Sequence, residues 1–200
     1  MNPELERCAG WPRKKIAGVD EAGRGCWAGP VVAAAVILPA SYDWDGLDDS
    51  KKLSAEQRAR LSAHIRQGAA TGLGIATAAE IDASNILVAS LRAMARAVAK
   101  LTHAPDFILV DGNRLPDWAH AAEAVVGGDA RAPSIAAASV IAKHARDEMM
   151  VSLDEQCPGY HWAQNKGYGV PAHREGLEAL GVSPEHRRTF APIRRLLEQS

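Results

Sequence analysis

The sequence has little cysteine, few aromatic residues and no long hydrophobic run, and each shortage excludes a class of protein. Three cysteines form no CxxC pair, which argues against a disulfide framework and against a zinc ribbon. No stretch of about 18 apolar residues is free of charged or turn-forming residues, so the sequence predicts no transmembrane helix. The first residues lack a basic segment followed by an apolar one, and we therefore expect no signal peptide. These features predict a cytoplasmic protein without membrane contact, and nothing in them requires more than a monomer.

An excess of charge of one sign is also missing. The formal net charge is -1, with 23 basic and 24 acidic residues, which is not the overall balance of a nucleic-acid-binding protein. Any site for a polyanion must therefore be a local patch. One basic cluster, with no acid inside it, consists of Arg187, Arg188, Arg194 and Arg195. Such a cluster is either a polyanion-binding patch or an ordinary solvated surface, and charge alone does not decide between them.

The hydrophobic pattern is that of a mixed α/β domain. At 200 residues, with 47% hydrophobic and 24% charged residues, the chain has the composition of one globular domain with a small appendage. Its periodicity predicts the order β-β-α-β-α-β-β-α and a helical tail, which together make a sheet covered by helices on both faces. A continuous apolar run at 31–38 predicts a strand buried on both faces, paired as a hairpin with 15–20. The other predicted elements are strands at 72–78, 107–110 and 124–126 and helices at 54–67, 85–101 and 134–153.

Carboxylates follow three of the predicted strands. Asp20 and Glu21 end the first, Asp111 ends the fourth and Asp129 follows the fifth. Strand ends of an α/β sheet direct side chains from several strands into one crevice. Converging acids repel one another, and Mg²⁺ or Mn²⁺ relieves the repulsion because these hard cations prefer oxygen ligands. The pattern predicts a two-metal site for phosphoryl transfer, and the alternative is that each acid merely caps a strand end or a helix start.

The adjacency of Asp20 and Glu21 sets a geometric condition. Neighbouring residues of a regular strand point to opposite faces of the sheet. Both carboxylates therefore reach one site only if Glu21 already lies in the turn after the strand. The Ala22-Gly23 pair that follows favours such a turn.

Glycines flank functional residue types in two further segments. Gly23-Arg24-Gly25 can present backbone N–H groups and an arginine to a phosphate, and it can equally form a tight turn with a surface arginine. In the segment 166–169, Tyr168 stands between two glycines. Its ring either stacks on a sugar or base or packs onto the core.

The ordered set of motifs closely resembles ribonuclease HII, the type 2 ribonuclease H, in its bacterial form. Each motif alone is modest, but together they follow the family order from about residue 15 to 195, and this set is very specific. The segments that carry the resemblance are VDEAGRG at 19–25, GPV at 29–31, DSKKLS at 49–54, NIL at 85–87 with Ala93-Met94, VDGNR at 110–114, GD at 128–129, SIAAAS at 134–139, AK at 142–143, RD at 146–147, KGYG at 166–169 and HRRTFAP at 186–192.

The resemblance implies an RNase H-like fold, with a mixed five-stranded sheet flanked by helices and a C-terminal helical extension. It implies an N-terminal segment at 1–14, a catalytic domain at 15–155 and an extension at 156–200 that completes the substrate site. The implied enzyme is an endonuclease that cuts the RNA strand of RNA–DNA hybrids and cuts 5′ of a ribonucleotide embedded in duplex DNA. Its implied role is to remove misincorporated ribonucleotides and RNA primers, with two Mg²⁺ or Mn²⁺ ions and 5′-phosphate and 3′-hydroxyl products.

The resemblance also assigns roles to individual positions. The catalytic and metal-binding carboxylates would be Asp20, Glu21, Asp111 and Asp129. The reader of the 2′-hydroxyl would be Gly23, Arg24 and Gly25. Tyr168 would stack on the adjoining sugar, and the family departures Asn165 and Val170 flank it. The residues serving the phosphates would be Lys51, Arg187 and Arg188, and Asp147 would have a supporting role.

Two other functions share part of this pattern. A different nuclease of the RNase H-like superfamily, such as a junction resolvase or a transposase core, would share the carboxylates and would cut all-DNA substrates. It would lack the 2′-hydroxyl reader. A non-catalytic hybrid-binding module would lack at least one of the four acids, and all four are present.

Overall fold

The chain folds around one five-stranded sheet, and the computed structural model describes residues 1–42 and 53–199. The strands are β1 Ile16–Ala22, β2 Val31–Ile37, β3 Ala70–Ala76, β4 Phe107–Asp111 and β5 Ala122–Val125. Their spatial order is β3-β2-β1-β4-β5. β2 pairs antiparallel with β1 and β3, whereas β1, β4 and β5 run parallel. The predicted mixed five-stranded sheet and the predicted β1–β2 hairpin are therefore confirmed.

Helices cover both faces of this sheet. They are α1 Glu4–Cys8, α2 Ala55–Gly68, α3 Ala78–Asp82, α4 Ile86–Ala99, α5 Pro133–Gln156, α6 Trp162–Asn165, α7 Pro171–Leu180 and α8 Ala191–Gln199. Every residue of β2 is buried because the strand faces a helix on each side. Ala33 and Ala35 pack in one cluster with α4, and Ala34 and Val36 pack in another with α5. This alternation explains why β2 reads as a continuous apolar run.

Glycines set how closely the two main helices approach the strands. A Cβ on Gly18 of β1 would lie 2.0 Å from the carbonyl carbon of Ser134 in α5. A Cβ on Gly74 of β3 would lie 1.9 Å from the carbonyl oxygen of Ala93 in α4. Both helices therefore lie directly on strand backbone, which only a residue without a side chain permits.

The predicted helices agree with the structure, and three short ones, α1, α3 and α6, were not predicted. Ser54 and Gln57 form the predicted capping box at the start of α2, each side chain accepting from the other residue's N–H. α1 and α3 have five residues each, which is too short for a helical periodicity to show. No helix within residues 1–42 and 53–199 is long and apolar enough to cross a membrane.

The N-terminal helix α1 caps the start of α5. Glu6 is 1% exposed, and its Oε1 accepts from Ser134 N at 2.9 Å and from Ser134 Oγ at 2.7 Å. α5 begins with Pro133 and its own N-cap residue makes no side-chain hydrogen bond, so a carboxylate from elsewhere satisfies the first turn. The N-terminal segment is thereby tied to the longest helix of the described chain.

The C-terminal extension has its own small core. Tyr160, Trp162, Leu177 and Ile193 pack together and onto two residues from the rest of the chain, Ala28 and Met150. Two histidines, His173 and His186, are also fully buried there. The proposed division at 155/156 stays a prediction, and the shared core shows that the extension rests directly on the preceding part.

We predict that Glu6→Ala lowers the free energy of unfolding by about 1 to 3 kcal/mol, because it leaves buried donors of Ser134 without an acceptor. Urea unfolding measures the change. Glu4→Ala, on the exposed side of the same helix, is the control and should change stability little. Equal effects of the two substitutions would show that the cap contributes nothing beyond helix propensity.

We also predict that the stability contributed by His186 declines as the pH falls below about 6.5. Burial and the neighbouring His173 lower the pKa of His186 to about 4 in the folded protein. Between these values the unfolded chain binds more protons, so acidification favours unfolding by up to about 1.4 kcal/mol per pH unit. Urea unfolding of the wild type and His186→Gln from about pH 7 to about pH 5 should show a shrinking difference.

Comparing the wild type with His186→Gln at each pH removes the opposing effect of other titrating groups on the free energy of unfolding. Burial raises the pKa of Asp20 and of Glu21, so these carboxyls take up protons in the folded state and acidification stabilises it. Both groups are present in both proteins and cancel. A difference that stays constant over this pH range would contradict the prediction.

Candidate active site

A pocket of about 200 Å³ opens where β1 and β4 end. The two strands, the turn after β5, α5 and the loop before α7 form its walls. Its lining residues are Asp20, Glu21, Ala22, Gly23, Asp111, Asp129, Ser139, Lys143 and Tyr168. All four acids predicted from the sequence therefore share one pocket. A larger pocket of about 480 Å³ at the other end of β2 contains no carboxylate in its described lining.

Asp20 and Glu21 both lie inside β1, which continues to Ala22. The expectation that Glu21 lies in a turn is therefore wrong. The pairing of β1 with β4 ends at Val19 and Val110, so the last β1 residues extend beyond it and border the pocket. An open strand edge thus brings both carboxylates to one site without a turn between them. The Oδ1 atom of Asp20 accepts from the N–H of Glu21 at 2.7 Å.

A hydrogen bond joins the other two acids through the backbone. Asp111 is the last residue of β4, and its Oδ1 accepts from Gly128 N at 2.7 Å. Gly128 begins a short 3₁₀ turn, Gly128–Ala130, which contains Asp129. The carboxylate of Asp111 therefore fixes the turn that carries Asp129 to the pocket.

The pocket destabilises negative charge. Burial raises the pKa of Asp20 well above its usual value, and the charges of Glu21 and Asp111 add to this effect. Hydrogen bonds from Ser139 and from the Glu21 N–H oppose it. Burial also raises the pKa of Glu21, while Arg24, whose Nη1 is 3.0 Å from Glu21 Oε1, acts in the other direction. The site consequently favours any species that brings positive charge to these carboxylates.

The donor set fits a hard divalent cation. The Oε2 atom of Glu21 is buried and makes no hydrogen bond in the described part of the chain, so it is an oxygen ligand without a partner. Carboxylate oxygens are the ligands that Mg²⁺ and Mn²⁺ prefer. Among residues 1–42 and 53–199, no three acidic, histidine or cysteine side chains form a ready-made metal cluster.

Helix α5 forms one wall of the pocket, and two of its lining residues were not among the site residues predicted from the sequence. Ser139 and Lys143 line the pocket, and Lys143 Nζ is 2.6 Å from Asp147 Oδ1. Asp147 also lies 3.5 Å from Arg58 Nη2, so it is an ion-paired helix residue that holds Lys143. Ser139, Lys143 and Asp147 follow one another at intervals of four, which places them on one stripe of the helix. This four-residue spacing was the signal in the sequence from which a common helix face could have been predicted. The supporting role of Asp147 stays a prediction.

The loop 23–25 is held from beneath by Arg187. This side chain is fully buried, and its guanidinium donates to the carbonyl oxygens of Gly23, Arg24 and Gly29 at 2.7 to 3.0 Å. In a trans peptide the C=O and the following N–H point in opposite directions. The N–H groups of Arg24 and Gly25 therefore point away from Arg187. A buried Arg187 does not fit the expected contact with phosphates, and its place in the structure is that of a support for the loop.

Two of the remaining predicted substrate residues, Tyr168 and Arg188, lie at the surface. Tyr168 is 45% exposed and borders the pocket. Arg188 is exposed, and its backbone N–H is anchored on Asp82 at 2.8 Å. Lys51 lies outside the described residues. The substrate contacts assigned to these three stay predictions.

Comparison with known proteins gives one consistent result. A family model described as "Ribonuclease HII" matches residues 17–193. The chain is 60% identical over 178 residues to the ribonuclease HII of Rhizorhabdus wittichii, which covers 89% of this chain and 88% of the relative. The crystal structure of the ribonuclease H2 from Pyrococcus horikoshii is similar with a TM-score of 0.79 at 26% identity, covering 92% and 98% of the two chains. Bst-RNase HIII, solved in complex with Mn²⁺, shares the fold with a TM-score of 0.74 at 20% identity, covering 99% and 74%.

The fold and the pocket of carboxylates define an endoribonuclease of the ribonuclease H type, which acts on RNA–DNA hybrids. Within that class, the chain belongs to the ribonuclease HII family. The family and the RNase H-like fold implied by the sequence motifs are confirmed.

We predict that Asp20→Asn raises the free energy of unfolding in metal-free buffer by about 1 kcal/mol or more, because it removes a buried charge that Glu21 and Asp111 repel. Urea unfolding in the presence of a chelator measures the change. Asp117→Asn removes an exposed carboxylate outside the pocket and should have little effect. A loss of stability in Asp20→Asn would show that this carboxylate stabilises the fold.

Proposed function

We propose that this chain cuts duplex DNA on the 5′ side of an embedded ribonucleotide, in addition to the RNA strand of hybrids, with two divalent cations, Mg²⁺ or Mn²⁺. The products would carry 5′-phosphate and 3′-hydroxyl ends. Such an activity would remove misincorporated ribonucleotides and RNA primers during DNA replication and repair. The observation that carries the proposal is the convergence of the four carboxylates beside a loop whose backbone N–H groups face away from the core.

The carboxylates are suited to hold the cations. Asp20, Glu21, Asp111 and Asp129 would be the protein ligands, and the unpartnered Oε2 of Glu21 supports this assignment. The chemistry that two such ions would supply is activation of a water for in-line attack on the scissile phosphorus and stabilisation of the 3′-oxygen leaving group. Bst-RNase HIII, which has the same fold, was solved with Mn²⁺ and gives further support for a divalent cation. The ion pair between Lys143 and Asp147 keeps an ammonium group at the pocket wall, where it can face a phosphate.

Glycine stands at positions 23 and 25 of the loop 23–25 for two different physical reasons. Gly23 has a φ of +96°, and a Cβ there would lie 1.9 Å from Arg146 Nε, so the fold itself requires glycine. Around Gly25 a Cβ would meet nothing within 4 Å. The protein's own packing therefore does not account for Gly25. Close approach of a ligand to its N–H does account for it, and the 2′-hydroxyl is the group that distinguishes RNA from DNA at a site.

The exposed residues complete the proposed substrate contacts. Tyr168 presents its ring beside the pocket, where it can stack on the sugar that follows the ribonucleotide. Arg188, and Lys51 in the segment outside the described residues, would bind phosphates. These contacts fix the position of the duplex, whereas the loop supplies the discrimination between ribose and deoxyribose.

The experiment is cleavage of a DNA duplex with one ribonucleotide, in Mg²⁺, in Mn²⁺ and with a chelator. We expect a single cut on the 5′ side of the ribonucleotide with either metal, none with the chelator and none in an all-DNA duplex. Asp20→Asn should lose at least about a thousandfold in kcat while it still binds the duplex, because the cations lose a ligand. Asp117→Asn is the matched control and should cut like the wild type.

Each other outcome points to a different function. Cutting of the all-DNA duplex would favour another nuclease of the same fold. Cutting of long hybrids alone would remove the embedded-ribonucleotide activity and keep the carboxylate chemistry. Binding by the wild type without turnover in any metal would leave a hybrid-binding module. Full activity in Asp20→Asn would remove that carboxylate from the proposed metal site.

A further inference from the structure

A buried histidine pair lies beneath Tyr168. His173, in α7, has no exposed surface, and its Nδ1 lies 3.0 Å from the carbonyl oxygen of Tyr168. On the other side of the ring, Nε2 lies 3.0 Å from Trp162 Nε1 and 3.0 Å from His186 Nε2. Each ring nitrogen of His173 therefore has a defined neighbour.

The hydrogen-bond partners determine where each imidazole carries its proton. The backbone N–H of Ser183 donates to His186 Nδ1 at 3.0 Å, so the proton of a neutral His186 is on Nε2. The N–H groups of His186 Nε2 and Trp162 Nε1 both point at His173 Nε2, which must accept. The proton of His173 is consequently on Nδ1, and His173 donates to the carbonyl of Tyr168. Burial lowers the pKa of both histidines, which agrees with two neutral rings.

This donated bond acts on a segment that is also held on both sides of Tyr168. Arg146 Nη1 donates to Lys166 O at 2.9 Å, Trp27 N donates to Gly167 O at 2.8 Å, and Arg174 Nε donates to Gly169 O at 3.2 Å. Lys166 and Gly167, which precede Tyr168, both have positive φ. The N–H of Tyr168 donates to Asn165 O at 3.0 Å, and its carbonyl accepts otherwise from Val170 N at 2.9 Å, two residues along. Among these helix side chains, His173 is the one that contacts the carbonyl of Tyr168 itself. Because the ring projects from this backbone into the pocket rim, the bond helps to set the direction of the ring.

The contacts of the histidine pair also extend to the loop 23–25. His186 precedes Arg187 in sequence, and it pairs with Ala28 in an isolated antiparallel bridge. Arg187 holds the carbonyls of Gly23 and Arg24. The contact between His173 and His186 therefore joins the support of Tyr168 to the support of the loop 23–25.

We propose that His173 is a positioning residue that sets the place of Tyr168 relative to the loop 23–25 and so contributes to recognition of the ribonucleotide junction. The inference rests on the proposed contact of Tyr168 with the substrate. It assigns the effect to one atom, the Nδ1–H of His173, and not to the bulk of the buried ring.

Two substitutions distinguish the role of the Nδ1 donor of His173 from that of its Nε2 acceptor. His173→Asn places an amide nitrogen near the Nδ1 position, so it keeps the donor to Tyr168 and loses the acceptor for Trp162 and His186. His173→Gln places an amide oxygen near the Nε2 position, so it keeps that acceptor and loses the donor. Both insert an amide into the same buried site, and a purely structural role would make them similar in activity relative to stability.

The measurement is kcat and KM on the single-ribonucleotide duplex, with thermal unfolding of each variant. We expect His173→Gln to lower kcat/KM about fivefold to tenfold, mainly through KM, because one hydrogen bond to Tyr168 is lost. His173→Asn should retain most of the wild-type kcat/KM. Leu177→Ala, which opens the same buried cluster from the same helix, is the control. It should lower the unfolding temperature without changing KM.

A double-mutant cycle ties the effect to Tyr168. In a Tyr168→Ala background the ring is absent, so His173→Gln should have no further effect on kcat/KM. Additive losses, equal activity of the Asn and Gln variants, or a changed KM in Leu177→Ala would each overturn the inference. A ¹⁵N NMR spectrum of the wild type should show His173 with its proton on Nδ1, and a proton on Nε2 would also overturn it.

The design distinguishes this inference from the proposed function. If Tyr168→Ala lowers kcat/KM and His173→Gln does not, the substrate contact stands and the positioning role fails. If the wild type cuts only long hybrids, the proposed junction activity fails, and the same cycle on a hybrid still decides whether His173 acts through Tyr168.

Discussion

The close contact between α5 and β1 is the constraint on which the site depends. Gly18 leaves no room for even a methyl group between the strand and the backbone of Ser134. The helix that runs from this contact brings Ser139 and Lys143 to the acids at the end of β1. It then carries Arg146 to the carbonyls of Pro30 and Lys166, so one packing distance positions segments that are far apart in the sequence. Local changes at the start of α5 would therefore be transmitted along the whole wall of the pocket.

The charges are arranged in two layers that do not neutralise each other. Arg146 donates to the carbonyls of Pro30, Lys166 and Ala28 at 2.9 to 3.2 Å, and Arg187 donates to other carbonyls of the same region. In the described part of the chain, neither pairs with a carboxylate, and burial lowers the pKa of Arg187 to about 10. Positive charge thus lies under the loop 23–25, while negative charge lies in the pocket. Both kinds of charge are costly to bury, because the protein interior solvates ions less well than water does.

The sequence predicted the parts that local patterns encode. The apolar run of β2 and the capping box of α2 depend on neighbouring residues, and both were predicted correctly. The acids were identified because each follows a strand. Glu21 shows the limit of this reasoning, since the end of the β1–β4 pairing, and not a turn, opens its edge to the pocket.

Contacts between distant segments could not be predicted from spacing. The family resemblance assigned Arg187 to the phosphates, yet the side chain is buried and its partners lie 158 to 164 positions away in the sequence. Glu6 caps a helix that begins 127 positions later, and its own helix is too short to show a pattern. For both residues, the tertiary fold, and not the local sequence, decides the role of a charged side chain.

The chain order of these parts has a consequence for synthesis. All four acids precede residue 130, so they are translated more than 50 residues before Arg187. The carbonyls of Gly23 and Arg24 receive their donors only when Arg187 has left the ribosome and folded back onto them. A nascent chain therefore contains all four pocket carboxylates before it contains the arginine that supports the loop 23–25.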